Sequence, residues 1–155
     1  MEYLVVKWLH VLSSTVLFGT GIGSAFYLLA TTLTRDVRAV AVVSRMVVRA
    51  DWLFTATTAV LQPLTGFWMM HLAGFPMATP WLRVSIVFYG LALACWFPVV
   101  WLQMRLRDLA GIAARDATAL PAAYWRCFRW WVALGIPAFF LFVAIFWLMV
   151  AKPAL

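Results

Sequence analysis

Apolar residues run along this chain in four long blocks separated by short polar gaps, and no block alternates with the period of a strand. The blocks cover about residues 3–32, 52–73, 81–103 and 130–151. Each reaches the roughly 20 residues that carry a helix across the hydrocarbon core of a bilayer. The pattern predicts an all-α chain: a single membrane domain, 1–155, built as an integral membrane four-helix bundle. The gap at 33–51 has a pattern of its own. Val37, Val40, Val43 and Val47 recur at helical spacing, with Arg38, Arg45 and Arg49 on another side. This reads as an amphipathic helix lying on the membrane surface and running into the second span, with Asp51 capping the junction. A solvated loop is the alternative reading.

Composition agrees with a bilayer as solvent. The 155 residues are 66% hydrophobic and 11% charged, whereas a soluble domain carries roughly 25% charged residues. A domain this small leaves too much surface exposed to hide such an apolar excess from water. Charge then sets the orientation. Nine of the twelve basic residues fall in two gaps: Arg35, Arg38, Arg45 and Arg49 in 33–51, and Arg105, Arg107, Arg115, Arg126 and Arg129 in 104–129. Gaps on alternate sides of four spans share one face, and lysine and arginine mark the cytoplasmic one. Both termini are therefore expected outside, with the amphipathic segment on the cytoplasmic side of a bacterial inner membrane. The net charge of +7 is explained by this orientation and by anionic lipid heads, which argues against nucleic acid as a partner. The first block is too long for a cleaved signal peptide and is expected to stay as a span. Cys95 and Cys127 form neither a disulfide framework nor a CxxC knuckle. Gly19 and Gly23 form a small-xxx-small pair on which a homodimer or a partner subunit would pack closely.

Ionisable residues inside spans are costly, which makes them functional candidates. Here they are Lys7, His10, His71, Arg83 and Lys152, and the predicted topology brings all five to the outer side. A neutral imidazole is a common axial ligand of haem iron, so His10 is a candidate ligand and His71 a candidate second one. Haem propionates require cations, for which Lys7, Arg83 and Lys152 are available. Lys7 precedes His10 by three residues and shares its helix face. Ser14, Leu17 and Gly21 continue that face, and Gly21 would leave room for a flat ring. At 1.5 Å per residue His10 lies several ångströms deeper than His71, a difference that helix tilt would have to close. A competing constellation is Met69, Met70 and His71 with Met77 in the following turn, a soft donor set suited to copper. Gln62, beside Pro63, would line a quinone or substrate cleft or bond a neighbouring helix. The chain has no Ser/His/Asp set, no paired membrane carboxylates and no phosphate loop.

The opening Leu4–Ser14 (LVVKWLHVLSS), Trp81-Leu82-Arg83 and the close at Lys152-Pro153 resemble HemJ-type protoporphyrinogen oxidases; CopD-type copper-resistance membrane domains are more distantly similar. The segments LFGTG, ADWLF, QPLTG and AKPAL resemble a predicted integral membrane protein family in the same group. The HemJ resemblance implies haem b and a membrane oxidoreductase, with His10 and Lys152 as the residues that carry over. It departs at Arg83, where HemJ-type chains have a histidine, and at Phe26-Tyr27-Leu28-Leu29, which replaces a Leu-Pro-Arg pattern. The expectation is a haem b redox or electron-transfer protein working with a quinone or a redox partner protein. Copper handling and a cofactor-free accessory subunit are the alternatives.

Overall fold

A computed structural model describes residues 1–153. These residues form five α-helices: α1 (Glu2–Thr34), α2 (Val37–Ala50), α3 (Ala56–Ala73), α4 (Pro80–Arg115) and α5 (Ala122–Ala151). A π-turn, Asp51–Thr55, joins α2 to α3. Three helices, α1, α4 and α5, are long and apolar enough to cross a membrane. The α3 segment has 18 residues and includes Gln62, Pro63 and His71, which lower its apolar character.

The amphipathic segment is a helix. Asp36 caps it, its carboxylate accepting from the N–H groups of Arg38 and Ala39 at 3.0 and 3.1 Å, which satisfies donors that the first turn leaves free. Val40, Ala41, Val47 and Val48 are buried, while Arg38, Arg45 and Arg49 are exposed. Asp51 does not cap the junction with the next span. It keeps helical dihedrals and donates its N–H to Val47 and Val48, so the chain continues without a break. The next turn widens, with the Ala56 N–H reaching the Asp51 carbonyl five residues back. Asp51 and Thr55 are both buried there.

Helices α4 and α5 both extend beyond the apolar blocks, α4 running on to Arg115 and α5 starting at Ala122. Most of the basic 104–129 gap is therefore helix. These extensions build the core. Leu28 of α1, Val40 and Val47 of α2, Leu102, Leu106 and Ala110 of α4, and Tyr124, Phe128 and Trp131 of α5 form one buried cluster. Inside it the hydroxyls of Thr32 and Tyr124 share a hydrogen bond of 2.8 Å. The core thus lies at the end of the molecule that carries the basic gaps.

The other end holds the start of α1, the end of α5 and the α3–α4 turn. There Glu2 accepts from the Trp68 indole at 3.0 Å, and the Lys152 ammonium lies 5.8 and 5.7 Å from the ring centres of Phe75 and Trp81. Packing is looser here. The pair α1/α3 faces the pair α4/α5, bridged by Phe18 against Phe139, Phe142 and Phe146 and by the Tyr89 hydroxyl, which donates to the Ala59 carbonyl. Outward-facing side chains such as Phe140, Trp147 and Val150 are 63–81% exposed, as suits contact with lipid. An added Cβ at Gly19 or Gly23 would meet nothing within 4 Å among the described residues.

Candidate functional site

His10 is half-buried on α1 against α3. Its Nδ1 lies 2.8 Å from the Thr65 hydroxyl. That hydroxyl has a single hydrogen and donates it along its own helix to the Leu61 carbonyl at 2.7 Å. With the hydrogen so directed, Nδ1–H donates to the Thr65 oxygen and Nε2 presents a lone pair; in the other tautomer the hydroxyl donates to Nδ1. Nε2 has no protein partner among the described residues. Gln62 holds the same turn from the other side, donating its amide to the His10 carbonyl at 2.9 Å and to the Ser13 hydroxyl. Gly66 completes the seat: a Cβ there would come to 3.4 Å from His10 Cε1, so the missing side chain lets the imidazole lie against the α3 backbone. One ring nitrogen tied to a neighbour and the other free is the arrangement that metal-binding histidines share.

The other expected ligands do not join His10. His71 is exposed in the last turn of α3, five residues past Gly66 and so about 7.5 Å further along the helix. Ser14 donates to its own helix at the Val11 carbonyl, 2.7 Å away. Gly21 lies about 16 Å from His10 along α1 and lines a different feature, the cavity described below. Lys7 and Arg83 are exposed, and Lys152 stands over two aromatic rings. Met69 and Met70 are half-buried, while His71 and Met77 are exposed. Among the described residues, no group of three His, Cys, Asp or Glu side chains gathers where it could hold a metal ion.

A cavity of about 460 Å³ lies between the two helix pairs. Its walls are apolar and aromatic, with Phe18, Ile22, Phe139 and Phe142 among them, and one end carries Asp51, Thr55 and Gln103.

The model of the predicted integral membrane protein family DUF2269 matches residues 4–153. The chain belongs to this family. No curated protein and no solved structure matches it. The DUF2269 chain carries three of the segments singled out in the sequence at the two polar features just described. Gln62, Thr65 and Gly66 of QPLTG seat His10. Leu17 and Gly21 of LFGTG, with Asp51 of ADWLF, line the cavity. In the fourth segment, AKPAL, Ala154 and Leu155 lie outside the described residues. The sequence reading picked out His10 because a histidine is costly in a span. It did not find Thr65 or Gly66, which lie more than fifty residues away in the chain.

Proposed function

We propose that this protein is a haem b-binding redox protein of the bacterial inner membrane, similar in chemistry to the HemJ-type oxidases, with both termini outside. The seat of His10 carries the reading: a membrane imidazole whose Nδ1 meets the Thr65 hydroxyl at 2.8 Å and whose Nε2 has no partner among the described residues. His10 would hold the iron through Nε2, and Lys7, one turn away on the same face, would meet a propionate. Bound haem would supply one-electron chemistry. The protein's part is to keep the imidazole neutral, oriented and beside a wall of lipid and apolar side chains, which tunes the iron through ligation and burial. With His71 one to two turns away along α3, the reading takes His10 as the only histidine ligand. Orientation rests on the nine arginines gathered at one end of the molecule and on the positive-inside rule.

The test is an absorption spectrum of the detergent-purified protein, with and without added haem, before and after dithionite. The expected result is a Soret band that His10→Ala abolishes and His71→Ala leaves in place. A protein that stays colourless with haem supplied overturns the reading. Stoichiometric copper lost on changing Met69 and Met70 would put the copper reading in its place. A colourless, metal-free protein that purifies with a partner would make it an accessory subunit.

A further inference from the structure

Five buried side-chain atoms have no hydrogen-bond partner among the described residues: Asp51 Oδ2, Thr55 Oγ1, Gln103 Oε1, Trp96 Nε1 and Trp131 Nε1. All five belong to residues that line the cavity between the two helix pairs. Four of these residues, Asp51, Thr55, Gln103 and Trp131, are less than 7% exposed. In an apolar setting each orphaned polar group costs free energy, so a cluster of them calls for a partner. The same place holds the π-turn Asp51–Thr55, and such turns recur where a helix is reshaped around a function.

The chemistry of the lining narrows the partner. No Lys, Arg or His is among the lining residues, and Asp51 is the one ionisable group, so an anionic phosphate head is poorly matched. Two indole N–H groups ask for acceptors, while a carboxyl, a carboxamide and a hydroxyl can accept or donate. Phe18, Phe139, Phe142 and the two indoles offer flat walls, and a volume of about 460 Å³ falls in the range that holds a drug-sized molecule. The cavity is partly open to its surroundings past Phe26 and Phe140, both exposed, so a lipid-soluble molecule could enter sideways.

We propose that this cavity binds an isoprenoid quinone, its ring between the aromatic walls and one carbonyl oxygen at the Asp51–Thr55–Gln103 end within reach of the Trp96 and Trp131 indoles. The oxidised ring accepts from the indoles, and the reduced ring, with a hydroxyl at the same position, donates to Gln103 or Asp51. The tail leaves through the gap toward lipid. This site shares no residue with the seat of His10 and stands independently of haem.

The experiment uses the full chain in detergent, with an azido-substituted short-tailed ubiquinone as the photolabel, ubiquinone-1 as competitor and peptide mapping of the adducts. Saturable label is expected on α4 around Trp96–Gln103 and on α5 around Trp131–Phe142, displaced by ubiquinone-1. Gly135 lines the cavity with open space at its Cβ position, so Gly135→Phe fills the cavity and is expected to abolish the label, while Gly135→Ala keeps it. Gln103→Leu is expected to weaken ubiquinone-1 competition about tenfold by removing one polar partner. Label on His10→Ala protein is expected to match the wild type, which separates this site from the haem reading. Three results would overturn the proposal: label spread over all helices without competition, label that survives Gly135→Phe, or displacement by a phospholipid as effective as by ubiquinone-1.

Discussion

The Thr65 hydroxyl lies 2.8 Å from His10 Nδ1, and Thr65→Val tests that contact. Valine keeps the shape and removes the oxygen. The His10 Nδ1 is then left without its partner, at a cost of about 1–3 kcal/mol, and the ring loses what orients it. Partners of this kind are worth about 10- to 100-fold in the affinity of the ligand they orient. Haem titration of Thr65→Val is therefore expected to show weaker binding by that factor, with Thr65→Ser restoring it. The residue scale also shows how far the sequence could be read. The expense of an imidazole in a span made His10 legible. Its seat was not, because Thr65 and Gly66 are ordinary residues until the fold brings them to α1. Gln62, singled out for a cleft or a neighbouring helix, bonds α1, whereas Gln103, the chain's other carboxamide side chain, is a signal the sequence also offers.

At the scale of elements, the valine spacing of α2 points to a helix with one buried face but leaves a solvated loop open, and the Asp36 cap at its start is the local signal that decides for the helix. Asp36→Ala is expected to cost about 1 kcal/mol, seen as a lower thermal midpoint of the purified protein with its spectrum unchanged. The junction after α2 was less legible. A turn with five-residue hydrogen bonds leaves no compositional mark, and Asp51 at the edge of an apolar block looks like a cap. Its burial becomes visible only once α4 brings Gln103 alongside. Helices α4 and α5 run on past the apolar blocks for a related reason. Hydropathy marks where a helix leaves the bilayer, not where it stops, and the arginines of 104–129 that end the apolar block are good helix formers.

On the scale of the whole molecule, the main buried cluster sits at the basic end, and Trp131 belongs both to it and to the cavity wall. Leu106, fully buried in the cluster at the basic end, holds α4 against α2 and α5. Leu106→Ala is expected to destabilise the protein by about 2–5 kcal/mol, while Phe140→Ala, on a surface facing lipid, is expected to change the unfolding midpoint little; thermal denaturation in one detergent compares the two. The parted helices have a further consequence. The two helix pairs are held by the buried cluster at one end and by the α3–α4 turn and the Lys152 contacts at the other, so the opening between them lies in the middle, like the eye of a needle. Whatever threads that eye arrives through the acyl chains, and its supply is set by what dissolves in the membrane rather than in water.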